Sequence, residues 1–137
     1  MKQYSKSWNS RVEAEPTNTW ARLSHPMSLK INEKTKSAIF IAASLEFSGT
    51  SKEKELKGHK GSLYYKIEVN GEPLVQYHVP NPRGTNRAVG VNLHGKTEIP
   101  AGEHTIEVFY KMSKNGSWDL MQNQSQRKIS VMAFPAE

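Results

Sequence analysis

Strict period-two alternation of apolar residues, Asn-Gly turn pairs between the alternating runs and the lack of any helical repeat predict an all-β chain. The expected fold is an antiparallel β-sandwich of jelly-roll type. The chain has 137 residues, a length that suits one domain with a real hydrophobic core.

The elements follow in chain order. Residues 1–18 are polar and show no period, so they read as an N-terminal arm, extended or disordered, ahead of a sandwich domain over 19–137. Met27, Leu29 and Ile31 alternate with Ser28 and Lys30. Ile39, Ile41, Ala43, Leu45 and Phe47 form the next run, opposed by Phe40, Ala42, Ser44 and Glu46. Leu63, Tyr65, Ile67 and Val69 alternate with Ser62, Tyr64, Lys66 and Glu68. Val75, Tyr77 and Val79 come next, then Val89, Val91 and Leu93, then Ile106, Val108 and Tyr110. Ile129, Val131 and Ala133 close the series, and a short piece over 118–121 adds one more candidate strand. Lys52 to Leu56 is the single helical candidate and is too short to stand alone. Asn70-Gly71 is the strongest hairpin signal, because a type I′ turn needs positive φ at both central positions. Asn115-Gly116 is a second pair, and Pro100-Ala101-Gly102 and the 80–84 segment break the chain between strands. Many short strands without crossover helices point to an antiparallel sandwich. An immunoglobulin-type arrangement is the alternative, although its Cys…Trp…Cys landmark is missing.

Composition narrows the function. With no cysteine there are no disulfides, thiolate metal sites or cysteine nucleophiles. No run approaches the roughly 18 apolar residues that span a bilayer, so no membrane partner is expected. The polar stretch from Met1 to Pro16 lacks the apolar core of a secretory signal. The formal net charge of +6 favours acidic partners. Lys52, Lys54, Lys57 and Lys60 alternate with Glu53 and Glu55, which reads as a solvated loop.

The residues offer little catalytic chemistry. His25, His59, His78, His94 and His104 show no metal-ligand spacing. Asp119 is the one aspartate, and Glu68 and Glu107 fall on the outward phase, where solvated side chains are expected. No nucleophile elbow or phosphate loop occurs. No catalytic residue, cofactor or metal is therefore expected, and the chain reads as non-enzymatic. A basic chain with aromatics has the ingredients of a single-strand binder but lacks a concentrated basic stripe, so nucleic acid is not the expected partner. Tyr65, Tyr77 and Tyr110 share the core phase, whereas Tyr64 lies opposite. Phe40, Phe109, Met132 and Phe134 also lie opposite the core phase, which makes them interface candidates on a covered outer face. Tyr64, Trp118, Asn81, Arg83 and Asn86 are the candidates for contact with a glycan.

Three segments carry a family resemblance. Trp20 to Leu23 followed by Met27-Ser-Leu resembles an opening strand. Ile99 to Tyr110, with its Pro-Ala-Gly-Glu-His turn, resembles a long alternating strand delivered by a glycine. Asn123 to Met132 resembles a closing N…R-x-L-x-V strand. Together, over roughly residues 20–135, they resemble jelly-roll domains of the tumour necrosis factor and complement globular-head type found in tailed-phage particles. The resemblance implies a virion protein: a capsid decoration or cement subunit, a head fibre or a fibre tip. It implies a homo-oligomer, a trimer above all, in contact with capsid or other virion proteins. The short chain favours the decoration role over a tail one, and a carbohydrate-binding module that recognises surface glycans is the alternative.

Overall fold

The computed structural model describes residues 1–9, 12–14, 17–50, 63–79, 89–112, 120–123 and 127–136. These form ten strands: β1 Lys2–Trp8, β2 Val12–Ala14, β3 Thr17–Glu33, β4 Ser37–Thr50, β5 Leu63–Val69, β6 Glu72–Val79, β7 Val89–Ile99, β8 Gly102–Met112, β9 Leu120–Asn123 and β10 Arg127–Pro135. The Lys52–Lys60 run, the 80–84 loop and Asn115-Gly116 lie outside the described residues.

Strand order decides between the two sandwich types. One sheet runs β1-β10-β4-β7 and the other β3-β8-β5-β6, all antiparallel, while the end of β4 continues into a short β4-β9-β2 extension. Along the chain, every step among these eight strands except the β5–β6 hairpin crosses from one sheet to the other. That is jelly-roll connectivity, and the immunoglobulin alternative is set aside.

The alternation seen in the sequence becomes the core. Ile39, Ile41, Ala43 and Leu45 of β4 and Ile129, Val131 and Ala133 of β10 face Leu63, Tyr65, Ile67, Ile106 and Val108 of the second sheet, all buried. Desolvation pushes the Tyr65 hydroxyl well above its ordinary pKa. Asn70 and Gly71 both have positive φ, at 53° and 85°, as the hairpin signal required. Asn70 also anchors that turn on β8. Its side-chain amide donates to His104 Nδ1 at 2.8 Å, and its carbonyl oxygen accepts from the Thr105 amide at 2.8 Å. His104 is thereby buried and fixed with its proton on Nε2, which donates to the Pro100 carbonyl at 2.8 Å.

Several sequence expectations change. Lys2–Trp8, expected as part of an arm, is an edge strand of the sandwich, paired with β10 from Lys2↔Ala133 to Trp8↔Arg127. Tyr4 and Trp8 pack on the core, while Lys2 and Lys6 on the same phase carry their ammonium groups over those rings at 4.8 and 5.3 Å. Lysines on an edge strand mask its apolar period and also block edge-to-edge pairing. Tyr77, read as core, is 40% exposed because β6 is the outer strand of its sheet. Glu107, read as solvated, is buried and holds Arg22 through two bonds of 2.6 and 3.1 Å. Arg127 points inward at the start of β10, donates to the His25 carbonyl at 2.9 Å, and has its pKa lowered by desolvation.

Candidate functional site

Four strands place the outward side chains of the β1-β10-β4-β7 sheet in rows. Register aligns Gln3, Met132, Phe40 and Lys96 in one row and Ser5, Ser130, Ala42 and His94 in the next. Ser7, Lys128, Ser44 and Asn92 make the third. Successive rows are about 7 Å apart, two residues along a strand. A large-to-small gradient follows, from Phe and Met in the first row to Ala and Ser in the second, and it shapes a depression in the face.

The large end is an apolar patch. Phe40, Met132 and Phe134 remain 43%, 42% and 39% exposed. The Phe40 and Phe134 rings meet edge to face at a centroid distance of 5.7 Å, a favourable aromatic geometry that orders both rings in the open. Beside them lies an open trough of ≈ 660 Å³, walled by Phe40 and Met132, floored by Ala42 and Ser130 and rimmed by Gln3, Ser5, His94, Lys96 and Lys128. Among the described residues no carboxylate lines it. The nearest cross-strand acid on β7, Glu98, is paired with Lys36 at 3.2 Å. A second depression of ≈ 610 Å³ adjoins it through Lys128 and is polar, with Ser7, Asn9, Ser44, Glu46, Asn92 and Arg127 among its lining.

The outer face of the second sheet is built differently. Tyr64 stacks on His78 at 4.6 Å and meets Trp20 edge-on at 6.5 Å. Lys66 lies over Trp20 at 4.5 Å and over Phe109 at 5.6 Å, and it is paired with Glu68 at 2.7 Å. Lys111 reaches both Trp20 and Tyr64 at 5.2 Å. Lys66 is itself buried. Lys66 and Lys111 thus cover the rings of Trp20, Tyr64 and Phe109 on this face with cation–π contacts.

The candidates read from the sequence thus separate. Phe40, Met132 and Phe134 come together on one face. Phe109 lies on the opposite sheet, half-buried beneath Lys66, and does not join them. Tyr64 is half-buried within the cation–π cluster, and Trp118, Asn81, Arg83 and Asn86 lie outside the described residues. Sequence reasoning missed the trough. The outward phase of Ser130, Lys128 and Asn92 was legible, but the β1 register that sets Gln3 and Ser5 beside them was not. Among the described residues no group of three or more His, Asp or Glu side chains is placed to hold a metal ion. No helix among them is long and apolar enough to cross a membrane.

Comparison with known proteins supports the architecture. No protein-family model matches the chain, and no curated protein sequence matches it significantly. Among solved structures, the capsid protein VP2 of infectious bursal disease virus, in its subviral particle, matches 98% of this chain with a TM-score of 0.54 at 14% identity. A T=1 particle derived from the same virus gives a TM-score of 0.53 at 13% identity over 96% of the chain. The chain spans about a third of the VP2 length, 32% and 31% respectively. The C-terminal domain of EclA, a sugar-binding protein, is matched over 88% of this chain and 78% of its own, with a TM-score of 0.46 at 10% identity. At these identities the likeness shows the jelly-roll sandwich fold shared with viral capsid domains.

Proposed function

We propose that this chain is a non-enzymatic structural subunit of a virus particle, of the capsid decoration or head-fibre kind, that assembles as a trimer by burying the Phe40–Met132–Phe134 patch against a neighbouring copy. The observation that carries this reading is the patch itself. Three large apolar side chains stand together on a sheet face, each about two-fifths exposed, where the neighbouring outward positions are Ser, Ala, Gln and Lys. Adjacent apolar side chains rimmed by polar residues are a common form of interaction surface, and burial of aromatic rings is a strong driving force for association. The jelly-roll frame and its likeness in fold to VP2 support the virion setting. The tailed-phage resemblance supports the decoration role, and the basic charge suits an acidic particle surface.

The test is the protein content of density-purified particles from the source of the sequence. Peptides of this chain are expected in the particle band, with release by about 1 M salt because screening weakens charge-assisted attachment. Their absence from the band would overturn the virion assignment.

Glycan recognition is the second reading. The specific observation favouring it is the open trough beside Phe40 and Met132, where Gln3, Ser5 and Ser130 offer hydrogen-bonding groups next to an apolar wall.

A further inference from the structure

The geometry points to a second role on the sheet opposite the patch. The outward face of β3-β8-β5-β6 binds single-stranded nucleic acid, with a base stacked on His78 and a phosphate on Lys111. This goes beyond assembly and does not rest on it, because Phe40, Met132 and Phe134 belong to the other sheet.

Register builds the surface. Lys111, Tyr64 and His78 stand side by side on β8, β5 and β6, and Trp20 of β3 ends the row, its ring 5.2 Å from the Lys111 ammonium. The next row is Arg22, Phe109, Lys66 and Gln76. Every strand of the sheet thus presents one ring, Trp20, Phe109, Tyr64 or His78, and three of the four add a cation. Rings interleaved with cations suit a single strand, which needs flat partners for its bases and positive charge for its backbone. The sequence shows no basic stripe because Arg22, Lys66 and Lys111 come from three strands and meet only through the register.

Charge and exposure single out one end of this surface. Arg22 and Lys66 are held by Glu107 and Glu68, which stand opposite one another in the third row. The first row has no carboxylate, and Lys111 forms no ion pair among the described residues. His78 is the one ring of the four that no described lysine covers. It is exposed, and Tyr64 stacks on one of its faces at an interplanar angle of 22°. Because β6 is the outer strand, no described strand stands beyond the other face. A base laid there extends the Tyr64–His78 stack. The Lys111 ammonium and the His78 ring lie 5.2 and 4.6 Å from the centre of the same Tyr64 ring, so a single nucleotide reaches both. A neutral sugar has no use for Lys111, and a bare anion has none for the open ring.

Fluorescence anisotropy of the full chain with a labelled oligothymidylate of about 12 nucleotides, within the range of single-strand site sizes, tests the assignment. An abasic strand of equal length and a neutral glucose oligomer serve as comparisons. The oligothymidylate is expected to bind at least about fivefold more tightly than the abasic strand, the effect of one stacked base. His78→Ala, at an exposed edge position, is expected to remove that preference and leave the abasic strand unchanged. Lys111→Gln is expected to weaken both strands and to lower the salt slope by about 0.7, the loss of one phosphate contact. Lys34→Gln, which removes an exposed charge from the turn between β3 and β4, is expected to leave binding unchanged. No detectable oligothymidylate binding, equal binding of the abasic strand or a His78→Ala chain that keeps the preference would overturn the site. So would a loss in Lys34→Gln as large as that in Lys111→Gln. A glucose oligomer bound as tightly as oligothymidylate would overturn it too, making the face a sugar platform. Phe40→Ser combined with Phe134→Ser, on the other sheet, is expected to keep the oligonucleotide affinity, so failure of this site and failure of assembly are read separately.

Discussion

Tyr4→Phe removes one hydroxyl from an edge strand, and the structure sets how much that should matter. Tyr4 OH lies 2.5 Å from both Glu33 Oε2 and the Asn32 carbonyl, so a single hydrogen is shared between a buried carboxylate and a backbone oxygen. Ser37 donates to the other carboxylate oxygen at 2.8 Å. The Tyr4 hydroxyl, followed by that of Ser37, holds the Glu33 carboxyl below its ordinary pKa against the opposing effect of burial. A hydrogen bond to a charged group contributes about 1.5–3 kcal/mol, and the half-buried ring argues for the lower part of that range. We expect Tyr4→Phe to cost about 2 kcal/mol near neutral pH, or roughly 6 °C in Tm for a domain of this size. The pH dependence has a definite sign. A carboxyl with a depressed folded pKa stabilises the fold above its unfolded value near 4.5, and that contribution is lost as pH falls through the lower folded value. Once Glu33 is protonated it can donate to the tyrosine oxygen, and the Tyr4 hydrogen serves Asn32 alone. The cost of the substitution should then shrink to about 1 kcal/mol, the value of an ordinary neutral hydrogen bond. Urea unfolding of both proteins at a series of pH values reads this directly. A cost near zero at neutral pH would show that β1 is not fastened as described. A cost that does not shrink anywhere on the acid side of 4.5 would show that Glu33 is not the partner that matters.

Other outcomes follow from the same contacts. Asn70→Ala loses the bonds to His104 and Thr105 at a position with positive φ, and is expected to cost about 2–3 kcal/mol in thermal unfolding. Asn70→Gly restores the backbone freedom alone and should fall between the two. Gly95→Val places a Cβ 2.7 Å from Leu74 Cδ2, where β6 packs over β7. It is expected to cost about 1–3 kcal/mol by overpacking, measured as a shift in urea midpoint, and Leu74→Ala in the same chain should recover part of it.

Much of the fold was legible because the sequence obeys one period. The runs 27–31, 39–47, 63–69 and 106–110 each sit inside an observed strand, since their alternate positions are apolar and nothing competes with burial. The turn at Asn70-Gly71 was legible for a local steric reason. What escaped depends on position in the sheet. β1 has an inner phase of Lys2, Tyr4, Lys6 and Trp8, and only pairing with β10 reveals that the lysines lie over rings. Tyr77 alternates like a core residue, but an edge strand leaves it uncovered. Glu107 alternates like a surface residue, but Arg22 folds onto it across the β3–β8 register. The apolar patch was half legible. The phase identified Phe40, Met132 and Phe134 but also admitted Phe109, because phase alone does not say which sheet an outward residue belongs to. The trough could not be read from sequence, since its lining comes from strands separated by up to about the whole chain length.

The central claim is that the Phe40–Met132–Phe134 patch is an assembly surface, and the solution mass tests it most directly. Light scattering coupled to size exclusion is predicted to give three copies of the 15.5 kDa chain for the wild type. For Phe40→Ser combined with Phe134→Ser it should give a single folded copy, because both substitutions lie on an exposed face and leave the core intact. A wild type that stays monomeric at about 0.1 mM, where even modest subunit affinities are populated, would contradict the account. A double variant that keeps the wild-type mass would contradict it equally.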